Sequence, residues 1–154
     1  MYEVMVKQVV LNHIAGKVAA STIILVNKEN DKQVLPIMVG ISEGRSINMA
    51  LQKEVPVRPG THDLFASVMG QFDIKLIKVV ITDLREDTYI ATMKVEFHDG
   101  MEDIDARPSD AIAIALRSIA PIFVSEEVIR KGGWLNAPKP AREPVKMEKR
   151  SDML

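Results

Sequence analysis

Apolar residues recur along this chain with two different periods, and the switch between them divides it into strands and helices. Glu3 to Ile14 and Val18 to Asn27 are dense in Val, Ile and Leu and break at Ala15-Gly16, the pattern of two strands joined by a tight turn. A charged loop, Lys28 to Lys32, precedes a third apolar run, Val34 to Val39, whose Pro36 predicts an edge or bulged strand. Ile47, Ala50 and Leu51 then adopt helical spacing, which predicts a helix over Glu43 to Lys53 with Ser42 as its N-cap. Pro56 and Pro59 close this first half.

Leu64, Phe65, Val68, Met69 and Phe72 recur every 3.6 residues, predicting a helix capped by Thr61 and running to Gln71, with its opposite face small and polar. Asp73 to Leu84 and Thr88 to His98 read as another strand pair around Arg85-Glu86-Asp87. In the second of these, Tyr89, Ala91, Met93, Val95 and Phe97 share one face, while Thr92, Lys94, Glu96 and His98 share the other. Asp99-Gly100 turns the chain into a short segment ending near Asp105. Pro108 suits the first position of a helix whose stretch Ala111 to Leu116 is apolar all round and therefore buried. Pro121 to Val124 predicts a last short strand, and Ser125 caps a brief helix that Gly132-Gly133 ends.

The order strand, strand, strand, helix occurs before residue 54 and again after residue 73. Val9-Val10-Leu11 aligns with Val79-Val80-Ile81, and Ile47, Ala50 and Leu51 align with Ile112, Ala115 and Leu116, which suggests an internal duplication. The expected fold is α+β: a single domain of two related β-β-β-α halves, with mostly antiparallel strands around a buried helix. It spans residues 1–135. Residues 136–154 carry Pro138, Pro140 and Pro144 among many charges and read as a disordered tail.

Composition narrows the chemistry. The 154 residues are 47% hydrophobic, enough for a sizeable core, and carry a formal net charge of −1. The tail holds five cations and three anions, a net +2 that leaves −3 on the body, so no global basic field favours nucleic acid. The absence of cysteine excludes disulfides, thiolate metal sites and cysteine nucleophiles. With no leader-like N-terminus and no run of about 18 apolar residues, the expectation is a cytoplasmic protein with no membrane partner.

Two phrases concentrate reactive groups where helix N-termini expose free N–H groups: Arg58-Pro59-Gly60-Thr61-His62-Asp63 and Asp105-Ala106-Arg107-Pro108-Ser109-Asp110. In the first, His62 can serve as general base or metal ligand, Asp63 can orient it or bind the same ion, and Arg58 can neutralise phosphate. In the second, Asp105 and Asp110 can hold a divalent ion such as Mg²⁺ or Mn²⁺ while Arg107 contacts phosphate. Helix capping accounts for several of the same residues without any reaction: Thr61 as cap, Asp63 and Asp110 on the helix dipole, and Arg107 paired to Asp105. Glu43 and Arg45 reach the same cleft if the halves are arranged symmetrically, whereas His13 and His98 read as ordinary exposed residues. No Ser-His-Asp nucleophile elbow, HExxH helix or dinucleotide fingerprint is present.

These two phrases, with Leu35 to Gly40 and Pro121 to Val124, resemble the bifunctional nuclease domain family over about residues 3 to 131. The resemblance implies hydrolysis of DNA and RNA. On chemical grounds it would employ His62, Asp63, Arg58 and Arg107 in catalysis and Asp105 and Asp110 on a metal ion. The alternative is a non-enzymatic dimeric binding or regulatory module in which both phrases only brace helices. A homodimer is expected in either case, because Asp73 to Leu84 carries apolar residues on both faces.

Overall fold

The computed structural model describes residues 1–137, so all but the first two residues of the predicted tail lie outside the described residues. The chain is α+β. It runs β1 (Tyr2–Ile14), β2 (Lys17–Asn27), β3 (Asn30–Val39), α1 (Ile41–Leu51), α2 (Thr61–Gln71), β4 (Lys75–Arg85), β5 (Thr88–Phe97), β6 (Gly100–Ala106), α3 (Pro108–Ser118), β7 (Ile122–Val124), α4 (Glu126–Gly132) and β8 (Leu135–Asn136). One eight-stranded sheet has the order β6-β5-β4-β7-β1-β2-β3-β8. Two three-stranded meanders flank β7, which pairs parallel to β4 and antiparallel to β1; every other pairing is antiparallel.

Three hairpins close through two-residue turns with both central residues at positive φ: Ala15-Gly16, Glu86-Asp87 and His98-Asp99. This handedness matches the twist of the strands it joins. His98 therefore belongs to a turn, not to the polar face of β5 as its alternation predicted. The Lys28 to Lys32 loop is also shorter than expected. Asn27 is buried, its Oδ1 accepts the Glu29 N–H and its Nδ2 donates to Gln33 Oε1, so β3 starts at Asn30. Pro36 lies opposite Ile24 of β2, and β8 covers the outer side of β3 only at Gln33 and Val34, as the edge expectation required.

The core lies between the sheet and the helices. Alternate residues of the strands (Val4, Val6, Ile23, Leu25, Leu35, Ile37, Val79, Ile81, Ala91, Met93, Val95) are buried with Ile47 of α1 and Ala111 to Ala115 of α3. The predicted buried helix is thus present. Both α3 and α4 pack on β4, so its apolar residues are used within one chain.

The helix starts differ from expectation. Gly40 and Gly60, not Ser42 and Thr61, occupy the N-cap positions, and neither helix has a side-chain cap hydrogen bond. The acid at the third helical position explains the shift. Asp63 Oδ2 accepts the Gly60 N–H at 2.8 Å, and the Glu43 carboxylate fills the space that a Cβ on Gly40 would need.

Gly44 fixes how closely α1 sits on the sheet. A Cβ there would collide with Cβ and Oγ of Ser21 in β2, and the buried Ser21 Oγ has no hydrogen-bond partner among the described residues. Gly44→Ala is expected to lower unfolding stability in urea by about 1–3 kcal/mol through overpacking. Ser21→Ala, which removes an unsatisfied hydroxyl, should leave stability unchanged or raise it. Wild-type stability in Gly44→Ala would refute this close approach.

Candidate active site

The polar ends of α1, α2 and α3 meet over the sheet around a cleft of about 450 Å³. Its walls include Glu43, Arg45, Ser46, Arg58, His62, Asp63, Arg107, Asp110 and Arg117. The two phrases therefore converge, although they are not symmetric counterparts. The first opens α2, whereas the position after β3 that parallels Arg107-Pro108 is Gly40-Ile41.

His62 is at the centre. Its Nε2 lies 2.9 Å from Asp110 Oδ1, and its Nδ1 lies 2.6 Å from Ser46 Oγ. Asp110 also receives Arg107 Nε at 2.7 Å on Oδ2 and Arg107 Nη2 at 3.1 Å on Oδ1. Arg107 first, and then His62, hold the Asp110 carboxyl below its ordinary 3.8. An ionised carboxylate only accepts, so the neutral imidazole carries its proton on Nε2 and leaves Nδ1 free to accept from Ser46.

Asp63 takes a different place. Its Oδ1 accepts Arg117 Nε at 2.6 Å, and this contact is the leading reason its carboxyl also lies below 3.8. Arg117 is largely buried, with 12% of its side chain exposed. It further donates to the carbonyls of Ala113 and Ser46 and to Ser46 Oγ. One guanidinium thus ties three helices together. As a result the apolar stripe Leu64, Phe65, Val68 and Phe72 of α2 is exposed and only Met69 is buried, the reverse of the orientation that its period predicted.

Asp105 stands apart from this network. It is exposed on β6 opposite Thr92, and it lines a neighbouring hollow of about 590 Å³ with His62, Arg107 and Asp110. The predicted Arg107–Asp105 pair is replaced by Arg107 with Asp110, and with Glu43 at 3.5 Å. Among the described residues no three His, Cys, Asp or Glu side chains are grouped as a metal site. His13 and His98 are exposed and do not line the cleft.

Four guanidinium groups face three carboxylates along the cleft, a surplus of one positive charge. Among the described residues Arg45 and Arg58 make no ion pair, which leaves them available to an anion. Ser46 and Arg117 were missed in the sequence. A signal existed for Arg117: it lies seven residues, two helical turns, after Asp110 on the same face of α3.

The chain belongs to the bifunctional nuclease domain family, whose model matches residues 23–136. That span contains every cleft residue named above. Two relatives from Mycobacterium tuberculosis are the uncharacterized proteins MT1877 (strain CDC 1551 / Oshkosh) and Rv1829 (strain ATCC 25618 / H37Rv). Each is 38% identical over 113 residues, which is 73% of this chain and 67% of the relative. Among the described residues no helix is long and apolar enough to cross a membrane.

Removing Arg117 strands Asp63 and two polar groups of Ser46, so Arg117→Met is expected to cost about 3 kcal/mol or more in urea unfolding. Both carboxyls are depressed in the folded state. Their stabilisation is therefore complete above 3.8 and lost as pH falls below it. Thermal melts from pH 5 to pH 2 should show a steep fall below about 3.8 in wild type and a shallower one in Asp63→Asn. Equal slopes would contradict the ion pair.

Proposed function

We propose that the protein hydrolyses phosphodiester bonds of DNA or RNA in this cleft. One observation carries the reading: a histidine held by an ionised aspartate, with its second nitrogen accepting from the Ser46 hydroxyl, in a wall lined by arginines. His62 is the proton acceptor and donor. Arg45 and Arg58 bind the non-bridging phosphate oxygens, Arg107 adds positive charge where negative charge develops, and Asp63 positions the site through Arg117.

Asp105 and Asp110 are the residues that would hold Mg²⁺ or Mn²⁺ in the adjoining hollow, where the ion would polarise phosphate. Asp110 would first have to release Arg107, so we assign the charge stabilisation to the arginines. The non-enzymatic reading also has an observation in its favour, since both bonds of His62 and the Asp63–Arg117 pair join two helices each. The exposed stripe of α2 offers the surface for the expected homodimer, and light scattering that finds a monomer at micromolar concentration rejects that assembly.

Rigorously purified protein should cleave plasmid DNA or RNA with EDTA present. His62→Ala should lower kcat/KM by about 10²–10⁴-fold while remaining folded by circular dichroism, and Arg58→Ala should mainly raise KM. Cleavage that appears only with added Mg²⁺ or Mn²⁺ and vanishes in Asp105→Ala favours the metal reading. A His62→Ala protein that unfolds, with an inactive wild type, favours the bracing role.

A further inference from the structure

Ser46 sits in the middle of α1, where a serine hydroxyl ordinarily bonds the carbonyl one turn earlier or points to water. Here it does neither. Among the described residues, the partners of Ser46 Oγ are His62 Nδ1 at 2.6 Å and Arg117 Nη2 at 3.1 Å, on two other helices. The Asp110 carboxylate, clamped by two bonds from Arg107, fixes the proton of His62 on Nε2, so the Ser46 hydroxyl donates to Nδ1. A base draws its proton while a buried cation faces its oxygen. Both contacts favour the alkoxide, and one lone pair of Oγ has no protein partner among the described residues. Ser46 also lines the arginine-bearing cleft, in which His62 is 13% exposed on its side chain.

We propose that Ser46 is the nucleophile of this cleft, with His62 as its general base and Asp110 as the group that orients His62. The inference rests on the phosphodiesterase reading above and names its reacting atom. In the first half-reaction the Ser46 O–H proton passes to His62 Nδ1, Oγ bonds to phosphorus, and the phosphorus bond to one ester oxygen breaks. The departing oxygen takes the proton from Nδ1, which leaves a phosphodiester between Ser46 and the retained nucleotide. In the second, water gives a proton to Nδ1 and attacks phosphorus, the phosphorus–Oγ bond breaks, and Ser46 recovers its proton. Water is the only co-reactant. The relay runs through the ring in the direction opposite to the familiar serine hydrolases, with Nδ1 rather than Nε2 toward the hydroxyl. Its three members lie on three helices and are spaced 16 and 48 residues apart, so no local motif announces them.

The test uses the full chain and an alkyl phosphonofluoridate, a phosphorus electrophile that reports nucleophilicity whether or not DNA or RNA is the substrate. Intact mass and peptide mapping should show one phosphonyl adduct, on Ser46, formed with loss of fluoride. The adduct should be absent in Ser46→Ala, and its formation should slow at least about 100-fold in His62→Asn. In parallel, Ser46→Ala, in which alanine preserves helix propensity, should lose at least about 100-fold in nucleic-acid cleavage while keeping the wild-type circular dichroism spectrum. A Ser46 adduct on a protein that cleaves neither DNA nor RNA upholds the nucleophile and refutes the nuclease reading. An unlabelled Ser46 in the wild type, or wild-type cleavage by Ser46→Ala, overturns the nucleophile; in the second case the nuclease reading stands.

Discussion

The guanidinium of Arg117 is the joint on which the cleft depends. It is mostly withdrawn from water and bonds to Asp63 of α2, to the Ser46 backbone and hydroxyl in α1, and to its own helix at Ala113. A buried charge is tolerated only when it is paired and hydrogen-bonded, and Arg117, paired with Asp63 and making three further bonds, meets this by drawing three helices to one point. That requirement turns the polar first turn of α2 inward and its apolar stripe out to solvent. With α2 in this orientation, His62 comes between Asp110 and Ser46.

The sheet supplies the complementary constraint from below. Gly44 lets α1 lie against Ser21 of β2 with no side chain between them, and Ser46 is two residues farther along the same helix. On the other side, the buried run Ala111 to Ala115 seats α3 on β4 and β5 with Asp110 and Arg117 at its two ends. Apolar packing thus sets the helix positions. The ion pairs then choose the rotation of α2, because the apolar alternative would leave Arg117 and Asp63 as uncompensated charges.

Much of the fold was legible in the chain. Alternation in residues 88–98 and the continuous apolar run at Ala111 to Leu116 marked a half-buried strand and a buried helix, and both are present. Local signals failed where a competing contact was stronger. Ser42 and Thr61 lost the capping positions because acids three residues along reached back to Gly40 and Gly60. The stripe on α2 misled because periodicity reports a face without saying which way tertiary ion pairs turn it. Both phrases contributed to the cleft, yet Ser46 was invisible, since its partners are 16 and 71 residues away in sequence.

The tautomer of His62 decides the chemistry of the cleft: the neutral imidazole carries its proton on Nε2, bonded to Asp110, with Nδ1 open to Ser46. Long-range ¹H–¹⁵N correlation of selectively ¹⁵N-histidine-labelled protein at neutral pH reads this directly. One His62 species is expected, with a protonated-type Nε2 shift and an unprotonated Nδ1 shift. An Nδ1–H tautomer, or a mixture averaging like that of exposed His13 and His98, would contradict it.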